Sequence, residues 1–267
     1  MIKNFILLHF EITDSHSFEN YIKDNADSIS KKTNIPKQYF DFTKKRKLQK
    51  KFINYTIKQI RHFYKNANIH VICKDKNHPI LQKNKKEIIL HELDLKATCI
   101  DKLNIYGLLD EPSMHIELDV LLVRPFEKHH LETKNPFNVF KRYDNVNHFI
   151  LTKKQNFPMY NTGIIWIQEP SKDLENEMKL IYKNNFSEKK MFFDIDEFPV
   201  SKFIYDNKLD MDLYWEVNHL NERDGYGMPK ILSIEEMKKY QSIHYPTTKE
   251  IFKSDYKKLQ SERCIFI

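Results

Sequence analysis

Apolar positions along the chain recur with two periods, and the switching between them predicts the order of the elements. NFILLHFEI (4–12) is apolar almost throughout and reads as a strand covered on both faces. SFENYIKDNADSISKK (17–32) follows with helical spacing and a capping serine at Ser15 or Ser17. Over 48–65, Ile53, Ile57, Ile60 and Tyr64 are spaced four, three and four apart, which places them on one helix face. NIHVICKD (68–75) and EIILHEL (87–93) predict two more strands, 97–109 a helix, and MHIELDVLLVRPFE (114–127) another doubly covered strand. NTGIIWIQ (161–168) is a further strand, followed by helices over 171–185 and 195–206 and a looser tail rich in aromatic and charged residues. Strands alternating with helices imply βαβ units and an α/β fold with a sheet covered on both faces. In such sheets ligands bind beyond the C-terminal ends of the strands.

The apolar run at 114–127 is interrupted by Glu117 and Asp119, two residues apart. In a strand, side chains alternate, so both carboxylates point to one side. Buried acids lose hydration and need a positive partner. Ion pairs with lysines or with Arg124 are one answer. A hard divalent cation is the other, since oxygen ligands suit Mg²⁺ and Mn²⁺.

Composition narrows the choice. The chain has 267 residues, no internal repeat and no linker dense in Pro, Gly or Ser, so one domain over 1–267 is the simplest organisation. No apolar run approaches the roughly 20 residues of a membrane helix, and the N-terminus lacks the apolar region and cleavage site of a signal peptide. Three isolated cysteines argue against a disulfide framework or structural zinc and for a reducing, cytoplasmic setting. The net charge is +7, with much of the excess in KKRKLQKK (44–51). That run suits an acidic partner such as an anionic membrane surface or a nucleotide, or is simply a solvated helix start. No aromatics interleave with it, which disfavours nucleic acid. With only four glycines there is no GxGxxG turn and no GxxxxGK[ST] loop. A phosphorylated ligand would need another neutraliser, and a cation on Glu117 and Asp119 would serve.

These residues carry a family resemblance. HIELDVLLVRPFE (115–127) resembles the segment around the DxD motif of GT-A glycosyltransferases, especially the glycogenin-like and capsular-polysaccharide-type families. YNTGIIWIQEPS (160–171), DIDEFPVSKFI (194–204), LYWEVNHL (213–220) and IHYPTTKE (243–250) resemble later motifs of the same families, in the same order. The resemblance implies a Rossmann-like GT-A domain with a mostly parallel central sheet and helices on both faces. Its nucleotide-binding part would cover about 1–125 and its acceptor part about 126–267. It also implies a hexosyltransferase of retaining type, using Mn²⁺ or Mg²⁺ and a nucleotide-sugar donor, by resemblance a UDP-sugar, with a glycan, lipid-linked or protein acceptor. By position, Asp119 matches the metal-binding acid, and Glu117 replaces the first aspartate. His244 matches a late histidine ligand. Asp101, Lys102, Leu118 and Lys249, with the two acids, fall where the nucleotide binds. Asn161, Asp196 and Glu197 fall near the donor-sugar and acceptor pocket.

Each has a plainer alternative. His244 would be a partly buried ring, Asn161 turn chemistry before Thr162-Gly163, Trp215 a core residue, and Asp194, Asp196 and Glu197 helix caps. His129-His130 resembles a metal pair, but adjacent side chains are expected to diverge. The glutamate at 117 and the missing Pro-Trp after Lys249 depart from the family pattern. They leave a non-catalytic nucleotide-sugar or glycan-binding module as the alternative function.

Overall fold

The computed structural model describes residues 2–9, 42–95, 99–142, 157–185, 197–220, 231–245 and 249–261, without the side chains of 42–51, Cys99, Lys249 and Glu250. The helix expected over 17–32, with Ser15 and Ser17, lies outside the described residues, as do Asp194 and Asp196. The strands are β1 (Asn4–His9), β2 (Asn68–Cys73), β3 (Ile89–Glu92), β4 (Ser113–Ile116), β5 (Val120–Leu122), β6 (Phe137–Arg142), β7 (Tyr160–Ile167), β8 (His219–Leu220) and β9 (Ser242–His244). The α-helices are α1 (Phe42–Phe63), α2 (Pro79–Lys83), α3 (Lys172–Asn185), α4 (Glu197–Asp206), α5 (Ile234–Met237) and α6 (Lys249–Ser261).

β1 is buried at every residue, as its unbroken apolar run requires. It lies inside a six-stranded sheet of order β3-β2-β1-β4-β7-β6. The pairs β1–β2, β2–β3 and β1–β4 are parallel, whereas β7 runs antiparallel to both β4 and β6. The sheet is therefore mixed, with β7 set against the strands on either side.

The period of two sorts β1 between two layers. Phe5 and Leu7 pack with Ile53, Ile57, Ile60 and Tyr64, so the helical face read from the sequence covers one side. Ile6 and Leu8 join Leu103, Ile105 and Tyr106 of a 3₁₀ helix (Cys99–Gly107), Leu174 and Met178 of α3, and Val200, Phe203 and Ile204 of α4. Each fully buried aliphatic or aromatic side chain of this kind contributes about 1.5–3 kcal/mol. Helices thus flank both faces, as expected, although the segment read as a helix over 97–109 is, over Cys99–Gly107, a 3₁₀ helix.

The single strand expected over 114–127 is two strands in two sheets. β4 ends at Ile116, and a turn closed by Val120 N–H donating to Glu117 O (3.1 Å) carries the chain out of the large sheet. β5 then pairs antiparallel with β9 in a three-stranded sheet of order β5-β9-β8. The split follows from where the apolar surface goes. Val120 and Leu122 pack under α1, while Leu121 and Val123 pack with Ile243, Phe252, Tyr256 and Leu259 in a separate cluster built on α6. The tail expected to be loose supplies β8, β9 and α6.

Candidate metal centre

Glu117 and Asp119 occupy the turn between the two sheets, so the turn rather than a strand's alternation brings their carboxylates together. The backbone on either side is tied down: Glu117 N–H donates to Gly163 O on β7 (2.8 Å), and Tyr245 N–H donates to Asp119 O (3.0 Å). The second bond continues the β5–β9 ladder, in which Val120 is level with His244. A histidine 125 positions later in the chain is thereby set against the acids.

His244 is 2% exposed, and its Nε2 lies 2.9 Å from Glu117 Oε2 and 3.3 Å from Asp119 Oδ1. Those distances suit an ion pair, yet the angles give Nε2 no hydrogen bond to either oxygen. The atom is directed between the two carboxylates. On the far side of the ring, Nδ1 is 3.0 Å from Asn161 Oδ1. That oxygen also accepts from Gly163 N–H and from Asn218 Nδ2, each at 3.1 Å. An amide oxygen only accepts, so Nδ1 must carry a hydrogen. A neutral ring then presents the Nε2 lone pair to two carboxylates, which repels unless a positive charge stands between them. Without a metal, that charge is a proton. Burial works against the charged ring, but Asp119 and Glu117 override it and push the His244 pKa up to about 9.

Glu117 is divided between two partners. One oxygen is 2.6 Å from Lys102 Nζ, which also donates to Thr162 Oγ1 (2.9 Å), and the other faces His244. The extra methylene relative to aspartate lets one side chain span both. Burial favours the protonated acid, but Lys102 and His244 hold its pKa well below the usual carboxylate range.

The donor set fits a divalent cation. One atom each from Glu117, Asp119 and His244 lies within 4.8 Å of the others. Two carboxylates and an imidazole suit Mn²⁺, and less closely Mg²⁺. A second grouping, His129, His130 and Glu216, is equally compact, and its two rings sit 4.0 Å apart rather than diverging. There His130 Nδ1 accepts from Glu127 N–H (3.1 Å) as part of a capping box. Nε2 therefore carries the hydrogen and faces Glu216 Oε1 at 3.2 Å, so the ring offers no lone pair to a metal.

Of the remaining sequence-derived candidates, Asn161 lies within β7 rather than in a turn, and its Nδ2 donates to Glu197 Oε1 (3.0 Å) at the start of α4. Asp101 is buried beside Lys102 on the 3₁₀ helix. The Leu118 side chain packs against the apolar clusters on either side of β5. Lys249 begins α6. Trp215, expected in the core, is 66% exposed and meets Tyr240 edge-on. Thr162, Gly163 and Asn218 belong to the site without having been assigned a role from sequence. A Cβ at Gly163 would run into the His244 ring, so the position is open because the imidazole fills it.

No protein-family model and no curated protein matches this chain. Among solved structures it is similar to the galactosyltransferase LgtC in complex with donor and acceptor sugar analogues, with 11% identity over 96% of this chain and 95% of that one, at a TM-score of 0.51. The fold is that of a GT-A glycosyltransferase. At this identity the fold alone is shared. The chain also aligns with a glycosyltransferase involved in glycosylation of the major capsid of PBCV-1 (10% identity, 97% of this chain and 100% of that one, TM-score 0.44). A third alignment is with the bifunctional WbbM, at 12% identity over 92% of this chain and 46% of that one, with a TM-score of 0.49.

Proposed function

We propose that this chain is a metal-dependent GT-A glycosyltransferase that moves a hexosyl group from a nucleotide-sugar, a UDP-sugar by resemblance, to a glycan, lipid-linked or protein acceptor. One observation carries the reading: the buried Nε2 of His244 is directed between Glu117 and Asp119 without a hydrogen bond to either. These three side chains would hold Mn²⁺ or Mg²⁺. The cation would neutralise the donor diphosphate and the charge growing on it as the anomeric C–O bond breaks. Lys102 orients Glu117 and adds positive charge beside the phosphates, where Asp101, Leu118 and Lys249 would also contact the nucleotide. Asn161 orients His244, and Glu197, tied to Asn161, would face the donor sugar with Asp196. The acceptor hydroxyl would form the new bond to the anomeric carbon as the nucleotide diphosphate departs with the bonding electrons, and the proton it gives up would pass to the departing diphosphate. Retention of anomeric configuration is part of the proposal.

No helix among the described residues is long and apolar enough to cross a membrane. A cytoplasmic enzyme held peripherally by the basic run 44–51 fits a lipid-linked acceptor. The rival reading, a non-catalytic nucleotide-sugar or glycan-binding module, is favoured by the Lys102–Glu117 pair, which balances one acid without a metal.

Incubation with a panel of nucleotide sugars and Mn²⁺, following donor hydrolysis, separates the two. Metal-dependent release of nucleotide diphosphate from at least one donor is expected. Donor binding without turnover across the panel would leave the module.

A further inference from the structure

A completely buried asparagine stands behind the candidate metal ligand. Asn218 precedes β8, is 0% exposed, and gives one side-chain hydrogen bond, from Nδ2 to Asn161 Oδ1 (3.1 Å). Its own Oδ1 is buried and has no partner among the described residues. Leaving an amide oxygen unsatisfied is costly, so a side chain that only filled space would be more stable as a hydrocarbon of similar shape. The polar group is retained for the bond it makes.

That bond has a directional consequence. Asn161 Oδ1 accepts from Asn218 Nδ2, Gly163 N–H and His244 Nδ1, while its Nδ2 donates to Glu197 Oε1. Two donors other than the histidine therefore hold the amide with its oxygen toward the ring. Rotating the amide would set Asn161 Nδ2 against Asn218 Nδ2 and a backbone N–H, three donors facing one another. With the amide locked, Nδ1 keeps its hydrogen and Nε2 is left for Glu117 and Asp119. The direction and tautomer of a ligating imidazole are commonly set by what its other nitrogen bonds to.

We infer that Asn218 is a positioning residue. Acting through Asn161, it fixes the His244 tautomer so that the Nε2 lone pair faces the cation site. The inference rests on the proposed metal site, and it adds a residue that touches neither metal nor donor. Gly163 completes the arrangement: its missing Cβ is the room in which the ring stands, and its N–H is the second lock on Asn161.

Asn218→Asp is the direct variant, because it keeps the shape and exchanges the donating NH₂ for an oxygen. An oxygen there repels Asn161 Oδ1 and attracts its Nδ2, working against Gly163 N–H and Glu197, so the amide is no longer firmly held and its turned form presents an N–H to His244 Nδ1. The ring must then accept at Nδ1 and carry its hydrogen on Nε2. Mn²⁺ alone, titrated calorimetrically into the full chain, should bind Asn218→Asp about 10–100-fold more weakly than the wild type. Asn218→Ser, which restores a donor, should recover most of that loss. Thermal unfolding verifies that both variants fold. A second readout is ¹⁵N NMR of labelled histidine with diamagnetic Cd²⁺: in the wild type, Nδ1 of His244 should remain protonated while Nε2 is metal-bound. A folded Asn218→Asp protein that binds Mn²⁺ like the wild type would overturn the role of Asn218 and leave the metal site standing. Should that variant not fold, a wild-type ring bound to Cd²⁺ through Nδ1 would overturn it equally. A wild type that binds no Mn²⁺ would overturn the metal site and this inference with it.

Discussion

Asp119 is 7% exposed and its Oδ1 lies 3.3 Å from His244 Nε2, so its charge is the part of the site that an isosteric amide removes most cleanly. Asp119→Asn should lower turnover at least a hundredfold, checked by steady-state assay at saturating Mn²⁺, and should lower the unfolding temperature of the metal-free protein while leaving it folded, because the amide also removes the main anionic partner of His244. The loss of turnover is that of a charged ligand from a cation site. Gly163→Ala probes the same ring from behind. The added methyl meets His244, so overpacking of about 1–3 kcal/mol should accompany weaker Mn²⁺ binding. A Gly163→Ala protein with unaltered metal affinity would show that the ring does not depend on that space. Proton linkage gives a third expectation. With a pKa of about 9, metal-free His244 is protonated at neutral pH, so each bound cation displaces about one proton. Apparent Mn²⁺ affinity should therefore climb about tenfold per pH unit up to about 9 and then level, with the released proton counted by calorimetry in buffers of different ionisation enthalpy. The sign for stability is opposite. Because the folded pKa lies above the ordinary 6.5, the pair stabilises the metal-free fold below 6.5, and that contribution, roughly 3 kcal/mol, is lost as pH rises through about 9. Affinity that is flat above pH 7 and falls only below 6.5 would mean an ordinary histidine. Asp119 and His244 were legible in the sequence because charge inside an apolar run, and a late histidine in a family-like segment, are visible without coordinates. Thr162 and Asn218 were not, since a short polar side chain acquires its role only from the partner that folding brings to it.

At the level of elements, patterning worked where one face alone decides burial and failed where a run serves two cores. The spacing of Ile53, Ile57 and Ile60 marked the buried face of α1, and all three are at most 3% exposed. Ile57→Ala should cost about 2–5 kcal/mol, read from chemical denaturation, because it leaves a cavity against β1. A cost below about 1 kcal/mol would mean that α1 is not packed on the sheet as described. The run 114–127 is apolar on both sides of its two acids for two reasons, β4 inside the large sheet and β5 wedged between two clusters, and no period separates those cases. The carboxylates meet because the chain changes sheets between them. The antiparallel direction of β7 was equally hidden, since a doubly covered strand looks alike in either orientation.

At the scale of the whole molecule, the 3₁₀ helix brings Lys102, the link between β4 and β5 brings the acids, β7 brings Asn161 and Thr162, and β9 brings His244. Sites assembled from segments this far apart in sequence form only when the entire fold does. The most direct test of the proposed chemistry is calorimetric binding of UDP to the wild type and to Asp119→Asn, each with and without Mn²⁺. Wild-type affinity should rise at least tenfold when Mn²⁺ is present, and Asp119→Asn should show no such gain while remaining folded. UDP binding that is indifferent to Mn²⁺ in the wild type, or a gain that survives in Asp119→Asn, would contradict a metal held by Glu117, Asp119 and His244 to receive a nucleotide diphosphate.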